Sequence, residues 1–546
     1  MTGKHTRPVV HWPPDDADRF RQAGYWQDQW LAEPVWAHAR CNPSAIALID
    51  GSRRTTYGEL VDDAEHLAAA LHADGLDAGD VVLVQLPNCV EFVVLVLACL
   101  RLGAVPLLVI PGLRAAELSS LARHSDAVAI AVPDTHRGFD HQQLAHELVD
   151  GLPTLRRVLV VGRPTADSLD LRALARGIAG VTHIEHEPPR GDDVAVLLTS
   201  GGTTGTPKII PRTHNDYGYN MRRCAELAAV SAASTYLAVL PAAHNFGFAC
   251  PGAFGTLVAG GRVVLSPTTR PDECFRLIEA ERVTVTSVVP TIARRWVTAA
   301  SGTACDLTSL AVLQVGGESM PAELAVALSQ AFPAILQQTF GMAEGLLTFT
   351  RLDDPPEIVQ WTAGRPICPD DQILVVDEQE RPVEAGHTGS LITKGPYTIR
   401  GYFGEVGSDE AFTDGGWYRS GDLVHVDSGG NVVVDGRTKD VIVRAGEKVS
   451  AAEIERLVVR MRGVVHAAAL AAPSAQSTEA VCLFVVLDQS SPGITLGTVQ
   501  QAMREAGVAS YKLPERLEVI GELPLTPVGK VDKIRLRREL DTRDAR

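Results

Sequence analysis

A chain of 546 residues is too long for one ordinary core and points to about three or four structural units. With 45% hydrophobic and 21% charged residues it has the make-up of a globular enzyme, and its formal charge of −16 disfavours general nucleic-acid binding, which needs basic surface against phosphates. The nine cysteines are scattered without a Cys-x-x-Cys pair, so no zinc site or disulfide framework is indicated and a reducing cytosol is expected.

Met1 to Phe20 lacks the apolar run of a secretory signal. Tyr57-Gly-Glu-Leu opens a helix over Leu60 to Ala73, and Asp74 to Asp80 turns into a strand, Val81 to Leu86. Phe92 to Ile110 is apolar apart from Arg101 and imitates a membrane span. Gly103 and Pro106 break it into a helix, Val90 to Leu102, and a strand, Val105 to Ile110, so a β-α-β unit and a parallel sheet are expected. Strands follow at Ala127 to Val132 and Arg156 to Val161, then at Thr235 to Leu240, Gly261 to Leu265, Val283 to Val289, Ala311 to Val315 and Ile335 to Gln338, with helical runs between. After about Gln372 the pattern changes to short strands with Gly and Asp turns, which reads as a small β subdomain. A last module carries a helix, Ala451 to Met461, strands at Val465 to Ala471 and Val481 to Leu487, and a polar tail.

One ribbon stands out, Thr199-Ser-Gly-Gly-Thr-Thr-Gly-Thr-Pro-Lys208, between the apolar runs Val194 to Leu198 and Ile209-Ile210. Glycines let a backbone approach an anion, hydroxyls and amides donate hydrogen bonds, and lysine adds a compact charge, so the ribbon reads as a phosphate loop anchored by two buried strands. It is not a Walker loop, because Pro207 separates Gly205 from Lys208 and isoleucine follows.

Five stretches in order resemble the adenylate-forming family of acyl-CoA synthetases, luciferase-like enzymes and nonribosomal adenylation domains. They are Thr199 to Lys208, Phe340-Gly-Met-Ala-Glu344, Tyr418-Arg-Ser-Gly-Asp422, Gly436-Arg-Thr-Lys-Asp440 and Pro524-Leu-Thr-Pro-Val-Gly-Lys530. The resemblance implies an α/β fold: a large N-terminal domain, 1–438, of two βαβ subdomains plus a small β-barrel-like one, and a small mobile α+β domain, 439–546, swivelling about Lys439. It also implies joining of an acid to ATP with Mg²⁺, the acid's carboxylate attacking the α-phosphorus. Thr199, Ser200, Gly201, Gly202, Thr203, Thr204 and Lys208 would then handle the β,γ-phosphates, and Glu344 would hold the metal. Gly316, Gly317 and Glu318 would flank adenine, Asp422 would accept the ribose hydroxyls, and Arg437 would make a second contact. Lys530 would bridge the carboxylate and the α-phosphate, His244 would join Lys530 and Glu344 as a catalytic residue, and Arg444-Ala-Gly-Glu-Lys448 would line the second, thioester-forming site.

Within the family, Pro241 to Gly252 resembles the stand-alone aryl-acid enzymes of siderophore assembly, since Asn245 replaces the aspartate that meets an amino-acid ammonium. By that resemblance Asn245 bonds an ortho hydroxyl, and Phe246, Cys250, Thr339, Gly341 and Leu347 surround the ring. Cys250 and Leu347 favour salicylate over 2,3-dihydroxybenzoate, because a thiol is a weak partner for a second hydroxyl and leucine adds bulk. Gly247 is expected to open space for a substituted ring. A separate phosphopantetheinylated aryl carrier protein is the expected acceptor, with coenzyme A as the alternative; no nucleic acid, no membrane and a cytoplasmic location are expected.

Overall fold

The computed structural model describes residues 8–177, 187–200, 207–404, 410–444, 447–473, 479–488, 493–506, 508, 510–526 and 529–544. Helix Tyr57–Ala73 begins three residues earlier than its apolar periodicity suggests. A capping box explains this: Thr56 accepts from the Glu59 amide while the Glu59 carboxylate accepts from the Thr56 amide. The apolar run beyond it is interrupted as expected, by helix Val90–Leu102, a left-handed Gly103 (φ 78°) and strand Val105–Leu108. Among the described residues no helix is long and apolar enough to cross a membrane.

Two sheets carry the large N-terminal part. The first has seven strands in the order Ile209–Thr213, Val194–Thr199, Val105–Leu108, Val81–Val84, Ala129–Pro133, Arg157–Val161, Leu169–Asp170; all neighbours run parallel except the first pair. The second has a parallel centre: Ile46–Asp50, Arg262–Leu265, Thr235–Ala238, Val285–Val288, Val312–Gly316 and Ile335–Gly341. Antiparallel strands close both its edges, Arg53–Thr56 on one side and Leu347–Phe349 with Arg365–Pro366 on the other. The central strands are buried on both faces, which is why they read as continuous apolar runs in the sequence. Helices Tyr57–Ala73, Val90–Leu102 and His214–Leu227 share one apolar core between the sheets.

The small β unit is a four-stranded antiparallel sheet, Gln372–Val376, Gly389–Lys394, Tyr418–Val426 and Val432–Arg437. Beyond it, strands Val464–Pro473, Glu479–Leu487 and Arg516–Ile520 form a separate sheet. One of its faces packs Ile454, Val458, Val499 and Met503, and the other packs Leu536 and Leu540. Those two leucines correct the expected polar tail. They lie one turn apart in a helix, Lys533–Asp544, so a charged segment still presents an apolar stripe to the sheet.

Candidate active site

The ends of the ribbon Thr199 to Lys208 are clamped. Thr199 pairs with Ile209, the Ser200 amide donates to the Lys208 carbonyl at 2.9 Å, and the Lys208 amide donates to the Ser200 hydroxyl at 3.0 Å. Gly201, Gly202, Thr203 and Thr204 lie outside the described residues. The exposed Lys208 places its ammonium 4.4 Å from the centre of the Tyr402 ring, and the Tyr402 hydroxyl donates to Glu344 Oε1 at 3.2 Å and sits 3.3 Å from that of Tyr418. Glu344 is 8% exposed, and burial pushes its carboxyl above the usual range although Tyr418, Tyr402 and Arg437 all favour the charged form.

Behind Glu344 stands Arg212, wholly buried in strand Ile209–Thr213. Its Nε donates to Asp216 at 2.7 Å, its Nη1 to the Ala343 carbonyl at 2.9 Å and its Nη2 to the Tyr397 carbonyl at 3.3 Å. One guanidinium thereby ties the hairpin of strands Val194–Thr199 and Ile209–Thr213 to the Glu344 turn.

The expected ribose and lysine residues converge. Antiparallel register sets Asp422 opposite Arg437, whose Nε donates to Asp422 Oδ1 at 2.7 Å, and Asp422 is 5% exposed. The turn bearing Lys530 is closed by the Thr526 amide donating to the Lys530 carbonyl at 2.7 Å. It docks on the large domain through two bonds: Thr291 Oγ1 donates to the Gly529 carbonyl at 2.6 Å, and the Val531 amide donates to Glu318 Oε1 at 3.0 Å. Lys530 consequently lies over Gly317, whose backbone is left-handed (φ 88°); a methyl group there would come within 3.5 Å of Lys530 Cε. Burial lowers the Lys530 pKa, Glu318 and Asp422 oppose that and Arg437 adds to it. Burial likewise raises Glu318, with the Val531 amide and Lys530 opposing. Gly316 answers to packing: a methyl group there would overlap Thr339 Oγ1, so the bare backbone lets Thr339 reach its place. Lys439 falls in the short turn Thr438–Asp440 and its side chain lies outside the described set.

The third group sits on the short helix Asn245–Ala249. His244 caps it, its Nδ1 accepting from the Phe246 amide at 3.3 Å. Burial and the nearby Lys530 charge press the His244 pKa down to about 3, so the ring is neutral and its proton sits on Nε2, a donor and not a base. Asn245 Oδ1 accepts from the Tyr217 hydroxyl at 2.7 Å, and its Nδ2 faces Cys250 Sγ at 3.7 Å. Phe246, Cys250 and Leu347 belong to one buried cluster; Thr339 is buried on the strand that ends at Gly341, and a side chain at Gly341 would overlap Leu347.

Gly247 does not open the pocket as expected. A methyl group there would lie 2.5 Å from the Pro241 carbonyl oxygen, so the missing side chain makes room for its own loop. Gly252, left-handed at φ 62°, repeats the arrangement against the Gly247 carbonyl.

Sequence reasoning missed Arg212, Tyr217 and Tyr402. Arg212 follows the ribbon by four positions, and a charged residue inside an apolar strand was the available signal; Tyr217 and Tyr402 carry none. Among the described residues no group of three or more His, Cys, Asp or Glu side chains forms a metal cage.

An AMP-binding enzyme family model matches residues 35–403, and an AMP-binding enzyme C-terminal domain model matches residues 453–530. Over 535 residues the chain is 48% identical to a salicylyl-CoA synthase / salicylate adenylyltransferase of a Streptomyces species, covering 97% of each. It is 47% identical to the 2-hydroxy-7-methoxy-5-methyl-1-naphthoate CoA ligase of Streptomyces carzinostaticus, covering 97% of this chain and 96% of that one. Among solved structures it is similar to the apo structure of MbtA from Mycobacterium smegmatis, with a TM-score of 0.76 at 42% identity over 97% and 99% of the two chains.

Proposed function

The chain belongs to the AMP-binding enzyme family, and on that premise we propose that it activates an aryl acid, salicylate, as the acyl adenylate and then hands the acyl group to a thiol. The single observation carrying this reading is the meeting of Lys530, Asp422–Arg437 and Glu318 with the buried Asn245–Cys250 pocket, linked through His244. An acid carboxylate oxygen attacks the α-phosphorus of ATP, the bond to the bridging oxygen breaks, and pyrophosphate leaves. In the second step a thiol sulfur attacks the acyl carbon, its proton is lost, and AMP leaves.

In this reading the chain's own groups position and neutralise charge. Lys530 sits between carboxylate and α-phosphate, and Asp422 with Arg437 orients the ribose. Thr199, Ser200 and Lys208, together with Gly201, Gly202, Thr203 and Thr204, hold the leaving phosphates, while Gly316, Gly317 and Glu318 border the adenine. Neutral His244 donates through Nε2 toward the forming acyl-phosphate anhydride. Glu344 fits a Mg²⁺ ion arriving with the nucleotide, since one carboxylate suffices when phosphate oxygens and water complete the shell, and the ion would offset phosphate charge. Asn245 meets the ortho oxygen, and Phe246, Cys250, Thr339, Gly341 and Leu347 enclose the ring. The domains divide at 438/439, with Lys439 as the hinge by which residues 439–546 exchange the Lys530 face for the Arg444 to Lys448 face.

The acceptor in this reading is the phosphopantetheine arm of a separate aryl carrier protein, as in siderophore assembly. A second reading, coenzyme A as acceptor, is favoured by the names of the two relatives above, both of which include CoA. ATP–pyrophosphate exchange with a panel of aryl acids, 2,3-dihydroxybenzoate and substituted salicylates included, tests the first step; exchange stimulated by no hydroxybenzoate overturns it. Product analysis with carrier protein against coenzyme A decides the second.

A further inference from the structure

Asn245 is a two-faced group: its amide offers an acceptor on one side and donors on the other, and which side meets the acid decides which ortho substituent is welcome. Its oxygen is taken from outside the pocket by the Tyr217 hydroxyl, 2.7 Å away on helix His214–Leu227, and its nitrogen faces Cys250. Tyr217 itself cannot swing. It is fully buried, stacked on Phe248 with ring centres 6.0 Å apart, and covered on its ring by the Arg212 guanidinium at 4.4 Å. A cation over the ring draws charge from the phenol and makes its hydroxyl a better donor and a poorer acceptor. The amide is therefore held with oxygen toward Tyr217 and nitrogen along the Cys250 wall.

We propose that Tyr217 is the positioning residue that makes this site select a 2-hydroxy over a 2-amino aryl acid, by locking the Asn245 amide so that it presents N–H to the ring's ortho atom. The inference rests on the aryl-acid reading above. In a 2-hydroxybenzoate the phenol hydrogen is donated internally to the acid's own carboxylate, which leaves the phenol oxygen as an acceptor for Asn245 Nδ2. In a 2-aminobenzoate one amine hydrogen is used internally and the other points outward, so the ortho group meets the amide donor to donor. Freed from Tyr217, the amide can turn and offer Oδ1 to the amine.

The test is ATP–pyrophosphate exchange on the full chain with salicylate, anthranilate and benzoate, for wild type, Tyr217→Phe and Asn245→Asp. For Tyr217→Phe the anthranilate-to-salicylate ratio of kcat/KM should rise about five- to tenfold, the size of one hydrogen bond's preference, mainly through a higher KM for salicylate. Asn245→Asp keeps an acceptor for Tyr217 but shows the ring only acceptor oxygens, so it should move the same ratio the same way, and it decides the matter if Tyr217→Phe does not fold. Loss of all three acids by one common factor, as a packing defect would give, overturns the proposal. Wild-type enzyme that activates no aryl acid instead overturns the substrate reading beneath it, a result no change of ratio can imitate.

Discussion

The two ends of the site are built on opposite principles. At the end proposed for the nucleotide the groups are mostly charged, lie on turns or on two register-paired strands, and hold one another by an ion pair and hydrogen bonds: Arg437 on Asp422, the Val531 amide on Glu318, Tyr402 on Glu344. At the end proposed for the acid they are neutral, buried and drawn from several elements, with Tyr217 from one helix, Asn245 and Cys250 from a short helix and its end, and Leu347 from the strand next to the sheet edge. The first kind of construction tolerates movement of the chain that carries it. The second depends on packing, so its selectivity is only as sharp as its rigidity.

Arg212 is where the two meet, since it holds the Ala343 and Tyr397 carbonyls while lying on Tyr217, and the Tyr397 hydroxyl accepts from the Leu347 amide at 3.2 Å. The largest effect should follow its removal. Arg212→Ala strands Asp216, whose carboxyl burial already pushes up against the pull of Arg212, and should lower unfolding stability by about 3–5 kcal/mol. Chemical denaturation measures this, and a loss below about 1 kcal/mol would remove Arg212 from its place as the tie.

Lys530→Ala separates the ends. It removes a charge docked over Gly317 without touching the aryl pocket and should slow pyrophosphate exchange at least ~10²-fold. Near-normal exchange sinks the role given to Lys530. Cys250→Ser acts only at the other end. A hydroxyl is a better partner than a thiol for a 3-hydroxyl group, so the preference for salicylate over 2,3-dihydroxybenzoate should narrow by about tenfold. An unchanged ratio means that Cys250 does not face the ring.

This contrast also governs what could be read from the sequence. Lys530, Glu344 and Asp422 could be proposed from the sequence because each lies in a short contiguous motif. Arg212 could not, for its meaning lies in a carbonyl 131 positions away, and Tyr217 acts through Asn245, 28 positions on. The parallel strands were visible as apolar runs, whereas helix Lys533–Asp544 was hidden because only two leucines among its charges face the sheet. Gly247 was misread for a different reason: composition says a side chain is missing, but only the backbone says in which direction it is missing.

The smallest effect concerns His244, which feels the Lys530 charge and accepts from the Phe246 amide. Its folded pKa, about 3, lies below the ordinary value of 6.5, so between those limits the unfolded chain binds the extra proton. The stability contributed by the neutral ring is complete above about pH 6.5 and is lost as the pH falls toward 3. His244→Asn keeps a side-chain acceptor for the cap and removes the titration. Because the ring is only partly shielded from water, the difference should be modest: between pH 7 and pH 5 the variant should lose about 1 kcal/mol less stability than wild type, read from denaturation midpoints at each pH. Parallel pH profiles for the two proteins would mean that His244 is protonated as readily in the folded chain as in the unfolded one. Below about pH 6.5 the neutral donor beside Lys530 would then give way to a second positive charge at the junction of the two ends.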